Sequence, residues 1–162
     1  MEYYIDKNRI KLTAPDSFGV LSEEEMEKIR KTFKPLLFAV RDDELRMVVH
    51  VCGLKQPIIE YFYPGMISNQ NVIAKIKRSF GKSLLNYRFI KDIEAKIGGK
   101  NSFGFRFSYE DVNSENPKRE IVAELHCIKH KRKYYVFCCL WNQKYFEVNY
   151  HFFEDILKSV KL

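Results

Sequence analysis

Two histidines and three cysteines are concentrated in one stretch of the sequence, where they could bind a metal ion. They are His126, Cys127, His130, Cys138 and Cys139. A site of this kind needs thiolates and neutral imidazoles that converge on one point. His126 and Cys127 are neighbours in an expected strand and so point to opposite faces. No ligand pair with helical spacing lies on an expected helix, and the pattern favours buried thiols and exposed histidines over a metal site.

The same residues raise a second possibility, a cysteine nucleophile activated by histidine. The pair would be Cys127 or Cys138 with His126 or His50. A reactive thiolate needs a helix N-terminus or a cationic neighbour, whereas these cysteines lie in apolar, strand-like runs typical of buried free thiols. The chain also contains no GxSxG, Walker or GxGxxG motif. We therefore expect no catalytic, cofactor or metal residue.

The densest positive charge is the segment Lys129–Lys133, which is expected to be a hairpin turn. Aromatic residues lie next to it in the sequence (Tyr134, Tyr135) and on a neighbouring expected strand, as on many surfaces that bind nucleic acid. A lysine-rich hairpin tip also protects a sheet edge from pairing with other chains. The candidate contacts for an anion or a partner are Arg88, Lys129, His130, Lys131, Arg132 and Lys133.

Length and composition indicate one globular domain spanning residues 1–162. The chain is 46% hydrophobic and 15% aromatic, which excludes a disordered protein. Its net charge of +7 favours nucleic acid, anionic lipid or acidic proteins as partners, without choosing among them. The first residues show no basic start and no apolar signal segment, and no apolar run could cross a bilayer, so we expect a cytoplasmic protein.

The first half of the chain alternates short strands with two helices. Ser22 followed by Glu25 predicts a capping box at the start of the first helix, and Ser68 or Asn69 is expected to cap the second. The predicted elements are a hairpin of Tyr3–Ile5 and Arg9–Leu12, a helix Ser22–Phe33, strands Leu36–Val40, Leu45–Val51 and Ile58–Tyr63, and a basic helix Ser68–Tyr87 whose polar side would include Arg88.

Most strands of the sheet are expected in the second half of the sequence. Strand Asp92–Ile97 turns at Gly98-Gly99 into a strand with aromatic residues on one face, and a polar loop, Asp111–Pro117, follows. Strands Arg119–Ile128 and Tyr134–Trp141 form a hairpin, and the second is apolar on both faces, which predicts layers above and below it. A helix Phe146–Val160, capped by Asn149, closes the chain. The fold class is α+β, a three-layer α/β/α sandwich on a central, mostly antiparallel sheet with three helices.

Three segments resemble the Mog1/PsbP-like fold group. Arg9–Pro15 is similar to its opening strand, Ile97–Phe103 to its glycine turn before an aromatic strand, and Asp155–Val160 to the end of its last helix, where the group usually has Phe at the position of Val160. The resemblance implies a mostly non-enzymatic protein. Members include a Ran-binding nuclear-import factor, photosystem accessory proteins and bacterial chaperones for secreted effectors. It carries over no catalytic residue and no partner-binding motif.

These observations favour a non-catalytic domain that binds another protein, as an adaptor, chaperone or accessory subunit. A first alternative is a nucleic-acid-binding module that uses the hairpin tip 129–133. A second is a small enzyme of unknown chemistry. The sequence sets neither the oligomeric state nor the binding face, although exposed aromatic residues such as Tyr61, Tyr63 or Trp141 would mark a partner-sized patch.

Overall fold

The protein is described by a computed structural model that covers residues 1–111 and 119–162. Its strands are Glu2–Ile5 (β1), Ile10–Thr13 (β2), Gly19–Val20 (β3), Leu36–Asp42 (β4), Met47–Lys55 (β5), Arg88–Ile97 (β6), Lys100–Glu110 (β7), Glu120–His130 (β8) and Lys133–Asn142 (β9). Its helices are Glu23–Arg30 (α1), Ile59–Phe62 (α2), Asn69–Ser83 (α3) and Gln143–Ser159 (α4).

Seven strands form one sheet in the order β3-β4-β5-β9-β8-β7-β6, while β1 and β2 pair separately as a hairpin. Every neighbouring pair in the large sheet is antiparallel. Strand β9 lies in the middle of this order, and residues 134–139 are buried on both of its faces. The prediction of a central, antiparallel sheet with Tyr134–Trp141 at its core is confirmed.

Separate hydrophobic cores lie on the two faces of the sheet. On one face, Phe33 and residues of α3 pack on the aromatic side chains of β7, and Phe80 contacts Phe33 and Phe107 with ring centroids 5.3 Å and 5.4 Å apart. On the other face, α4 and the β1–β2 hairpin cover β9, where Trp141 packs edge-on against Phe153. The predicted three-layer sandwich is therefore confirmed.

Local sequence signals explain several boundaries. Ser22 and Glu25 form the predicted capping box of α1, and Ser68 with Asn71 forms one at the start of α3. The β6–β7 hairpin turns at Gly98 and Gly99, whose φ angles of 55° and 76° lie in the left-handed region that favours glycine. The two glycines therefore fix the turn that joins the edge strand to the aromatic strand.

The predicted strand Ile58–Tyr63 is wrong, because this segment forms the short helix α2. A run of six residues with a single charged member fits either a short strand or a short helix. Pro57 precedes the helix, and its carbonyl accepts from the amide of Glu60 at 3.0 Å. The segment also cannot pair beside the preceding strand, because β5 is flanked by β4 and β9.

Three smaller expectations also need correction or fall outside the structure. Helix α4 begins at Gln143 and is capped by Asn142, whose side-chain oxygen accepts from the amide of Lys144. Asn149 is instead buried inside the helix and donates to the carbonyl of Leu45 at 2.8 Å. Arg88 belongs to β6 rather than to the basic helix, which ends at Ser83. The predicted polar loop 111–117 lies, apart from its first residue, outside the described residues.

Within residues 1–111 and 119–162, no helix combines the length and apolarity needed to cross a bilayer.

Candidate functional site

An open groove lies between α3 and the sheet, with a volume of about 830 Å³. Its walls are mainly apolar side chains from β5, α3 and β9, such as Leu54, Ile76 and Val136. Three exposed lysines, Lys34, Lys55 and Lys75, also line it. No aspartate or glutamate in the described part of the chain lines the groove. The result is an apolar trough with a positively charged opening, of a size that suits a small-molecule ligand.

His50 forms part of the groove floor. Its ring is fully buried, 4.5 Å from the ring of Phe33, and neither nitrogen has a hydrogen-bond partner among the described residues. Burial lowers the pKa of His50 to about 3, so the imidazole is neutral at physiological pH. A neutral and enclosed imidazole preserves the apolar character of the floor.

A strongly apolar surface segment borders the groove. We call residues 58–66 the lip, because Ile59 and Met66 also line the groove. Large apolar side chains of the lip face solvent: Ile58 is 77% exposed, Phe62 75% and Tyr63 65%. Apolar exposure of this density over nine residues is typical of an interaction surface.

Glu60 fastens the lip to the sheet. Its carboxylate is buried and accepts hydrogen bonds from Lys129 Nζ at 3.0 Å and from the Tyr134 hydroxyl at 2.8 Å. The Tyr134 hydroxyl also lies 2.8 Å from the carbonyl of Ile67, at the far end of the segment, which is a second acceptor for its single proton. Burial alone would raise the pKa of Glu60, but the hydrogen bonds from Lys129 and Tyr134 outweigh it and lower this pKa.

The hairpin tip that the sequence highlighted lies beside the lip. Pairing of β8 with β9 extends to His130 and Lys133, so the turn itself is only Lys131 and Arg132, and both are exposed. The Arg132 guanidinium lies 5.7 Å from the centre of the Tyr61 ring, over its face. The lip and Lys131–Arg132 therefore form one continuous surface, which we call the lip–tip surface.

The remaining predicted contact residues are placed differently. Lys129 and Lys133 are each paired with a carboxylate, Lys133 with Asp6 at 2.9 Å. His130 is half-buried, with Nδ1 3.5 Å from Lys100 Nζ, and burial together with nearby cations lowers its pKa. Arg88 is opposite Ser108, at the end of the β6–β7 pair that lies away from the hairpin tip. The structure thus groups Lys131 and Arg132 with the lip and separates Arg88 from them.

The cysteines and histidines do not form a metal or nucleophile site in the described residues. All four cysteines are free and buried, as expected. Burial raises the pKa of the Cys52 and Cys127 thiols to about 12, so neither forms a reactive thiolate at neutral pH. The expectation of exposed histidines is wrong for His126, which is buried, and His50 is buried as well. No cluster of three metal-binding side chains occurs in the described ranges.

A hydroxyl–imidazole–carboxylate series, which no motif in the sequence predicts, lies under α4. Ser102 Oγ is 3.3 Å from His126 Nδ1, and His126 Nε2 is 2.8 Å from Glu124. Arg106 donates to the same carboxylate from Nε and from one terminal nitrogen. Ser102, His126 and Glu124 are all at most 5% exposed, and none of them lines the groove. The series is best understood as a satisfied polar network inside the core.

The lip is the feature that sequence reasoning missed as a site. Its residues alternate as in a strand, and Tyr61 and Tyr63 were noted only as possible exposed aromatics. They are indeed exposed, at 54% and 65%, whereas Trp141 is buried at 1%. The density of large apolar residues next to Pro57 and Pro64-Gly65 was the available signal, because loops are normally polar.

Comparison of the fold with known proteins decides its group. No family model matches the chain, and no curated protein sequence matches it. Among solved structures, cyanobacterial PsbP (CyanoP) from Synechocystis sp. PCC 6803 superposes with a TM-score of 0.65 at 10% identity, over 100% of this chain and 91% of that one. The chain has the Mog1/PsbP-like fold.

Other proteins with this fold are similar over nearly the whole chain. LpqN of Mycobacterium tuberculosis, which is involved in cell envelope biogenesis, superposes with a TM-score of 0.57 at 14% identity, over 94% of this chain and 82% of LpqN. PA94 of Pseudomonas aeruginosa gives 0.54 at 10% identity, over 98% and 94% of the two chains. At these identities the likeness establishes the Mog1/PsbP-like architecture and leaves the function to be argued from the surface.

Proposed function

We propose that the protein is a non-catalytic binding domain that docks another protein on its lip–tip surface. The observation that carries this proposal is the exposure of large apolar side chains next to the unpaired cations of the hairpin turn. Large exposed apolar patches with a polar border are typical of protein–protein interfaces. The partner would be an accessory or client protein for which this domain acts as an adaptor or chaperone.

The positive charge beside the lip indicates a partner with an acidic surface. The chain carries a net charge of +7, and Lys131 and Arg132 lie beside the apolar lip without a carboxylate partner among the described residues. A complementary surface would present aliphatic or aromatic side chains flanked by aspartate or glutamate. Such charges would accelerate association and favour one orientation of the partner.

Residues 1–111 and 119–162 contain no reaction centre that a substrate could reach, which supports the non-catalytic part of the proposal. The buried cysteines have raised pKa values, and the Ser102–His126–Glu124 series is enclosed under α4. Catalysis requires a reactive group that a substrate can reach. In the described residues, the groove is lined by apolar side chains, one amide, hydroxyls, lysines, a neutral histidine and the thiol of Cys52. Burial raises the pKa of that thiol to about 12, so it is not a nucleophile at neutral pH.

The nucleic-acid alternative has weaker support. Two of the predicted contact cations, Lys129 and Lys133, are neutralised by Glu60 and Asp6, and Arg88 lies at the other end of the sheet. Binding to a phosphate backbone needs several unpaired cations along one path. A titration with single- and double-stranded oligonucleotides at low salt tests this alternative, and salt-sensitive binding that an Arg132→Glu substitution abolishes would support it.

We further propose that residues 1–162 act as one cytoplasmic domain. Lys11 in β2 pairs with Lys161, and Ser159 bonds to both the amide and the carbonyl of Thr13, so the two ends of the chain are joined. The four free cysteines suit a reducing compartment. Limited proteolysis and thiol counting on protein from its native cell would test both statements.

The experiment for the docking surface begins with capture of partners from native-cell extract and ends with a measured affinity for the purified candidate. The test variants are Ile58→Ser and Phe62→Ser, and the matched control is Phe89→Ser on β6, which is 48% exposed. We expect the lip variants to weaken binding roughly tenfold or more, as for interface hot spots, and the control to change it little. Equal binding by wild type and lip variants would overturn the proposal.

A further inference from the structure

The groove beneath the lip has features that docking of a protein on the outer surface leaves unused. Its walls come from Leu54, Val72 and Ile76, which are half-buried, and from deeper residues such as Phe80 and Val136. At about 830 Å³ it is within the size range of ligand pockets, about 300–1,000 Å³. The outward-facing lip residues Ile58, Phe62 and Tyr63 are not among the residues that line it.

The charges of the groove are of one sign. Lys34, from the segment after α1, Lys55, at the end of β5, and Lys75, in α3, are exposed and approach the groove from three different elements. None of these amines pairs with a carboxylate in the described part of the chain, whereas Lys28, Lys77 and Lys129 all do. Three unpaired amines around an apolar trough are complementary to one anionic group attached to an apolar chain.

We propose that the groove binds a single-chain anionic amphiphile, with its hydrocarbon tail along the apolar walls and its carboxylate or phosphate head among Lys34, Lys55 and Lys75. The tail displaces water from apolar surface, which is the main source of affinity. The head stays at the opening, where it keeps partial hydration and gains charge-assisted hydrogen bonds. The floor requires no charge, because His50 is neutral and enclosed.

The probes are compounds with one twelve-carbon tail and different heads: dodecanoate, dodecyl phosphate, dodecanol and dodecyltrimethylammonium. Binding is measured by calorimetry below their micelle concentrations. We expect both anions to bind, the alcohol to bind more weakly and the cation to be rejected. The comparison of dodecanoate with dodecyl phosphate shows which head is preferred. Shortening the tail should weaken binding by about fourfold per methylene. Equal binding of the anion and the cation would overturn the proposal.

Two pairs of variants locate the site. Ser79→Phe fills the groove from an exposed position of α3, and Ala74→Phe places the same ring on α3 outside the groove. Lys75→Glu reverses a charge of the groove, and Lys82→Glu reverses one on the same helix outside it. We expect Ser79→Phe to abolish dodecanoate binding and Lys75→Glu to weaken it about tenfold or more, with little effect from either control.

The result is separable from docking on the lip. Phe62→Ser should leave dodecanoate binding within about twofold while it weakens the protein partner. Loss of dodecanoate binding in Phe62→Ser, with binding retained in Ser79→Phe, would place the amphiphile on the lip and refute the groove as its site. Absence of binding by all four compounds would refute the inference and leave the docking proposal intact.

Discussion

Replacement of Lys129 by methionine tests whether the buried ion pair between Lys129 and Glu60 stabilises the attachment of the lip to the sheet. The substitution keeps an unbranched side chain and removes the charged amine with its hydrogen bond to Glu60, so Glu60 is left buried with Tyr134 as its remaining side-chain partner. Breaking a buried ion pair typically costs 3–5 kcal/mol. Because Lys129 is 31% exposed and one hydrogen bond survives, we expect Lys129→Met to lower the free energy of unfolding by about 2–3 kcal/mol at pH 7.

The pH dependence of this loss is specific to the ion pair. The pKa of Glu60 is lowered in the folded protein, so its stabilising contribution is present above the unfolded-state pKa and is lost as the pH falls through the folded-state value. In Lys129→Met the burial of Glu60 persists without the cation, and its pKa should rise above the usual value. The carboxylate of the variant then takes up a proton in mildly acidic solution. The difference in the free energy of unfolding between wild type and Lys129→Met should therefore be much smaller at pH 4 than at pH 7.

Urea unfolding at pH 7 and pH 4 measures the effect, and the fluorescence of Trp141, the one tryptophan and a buried one, reports it. The matched control is Lys131→Met, the same substitution at the exposed turn, for which we expect a change within about 0.5 kcal/mol. Equal losses in the two variants, or a loss in Lys129→Met that stays the same at both pH values, would refute the reasoning.

Three further predictions concern the core and the hairpin. The pKa of His50 falls to about 3 on folding, so only the unfolded chain takes up a proton at this site as the pH drops below about 6.5, and the folded protein loses stability. His50→Leu lacks this group. Between pH 7 and pH 5, the free energy of unfolding of wild type, measured by urea denaturation, should therefore fall by about 2 kcal/mol relative to that of His50→Leu. Gly98→Ala should lower the free energy of unfolding, measured by thermal denaturation, by about 1–2 kcal/mol, because Gly98 has a positive φ. Gly99→Ala should cost less, because Gly99 also has a positive φ but only a Cβ at Gly98 would lie 2.6 Å from the side chain of Leu162. A thiol reagent at neutral pH should label almost no cysteine in the native protein and four in denaturant, and fast native labelling would contradict the burial described.

The sheet was largely predictable because its signals are local. Alternation along Phe103–Tyr109 and the two apolar faces of Tyr134–Trp141 depend only on the period of a strand and on burial. The capping box of Ser22 and Glu25 is likewise a relation across three residues. These elements, together with short turns, predict a mostly antiparallel sheet with layers on both sides. They do not predict the pairing of β5 with β9, which joins distant parts of the chain.

The lip and the groove were not predictable because they depend on distant pairs of residues. Glu60 of α2 contacts Lys129 and Tyr134 across about half of the chain, and no local pattern in the sequence reveals this pairing. The groove combines lysines from three separate elements with an apolar floor. The hairpin tip was correctly noticed as a basic feature, but only the structure shows that Lys129 and Lys133 are paired and that Arg132 contacts Tyr61.

Footprinting of the protein in complex with its captured partner tests the central proposal most directly. Hydroxyl radicals modify exposed aromatic and sulphur-containing side chains, and mass spectrometry locates the modified residues. If the partner docks on the lip–tip surface, binding should strongly protect four exposed residues of the lip, Tyr61, Phe62, Tyr63 and Met66. Modification of Phe89, which is exposed on β6, should not change. Protection of Phe89 with continued modification of Phe62 and Tyr63 would contradict the proposal and move the interface to the sheet edge.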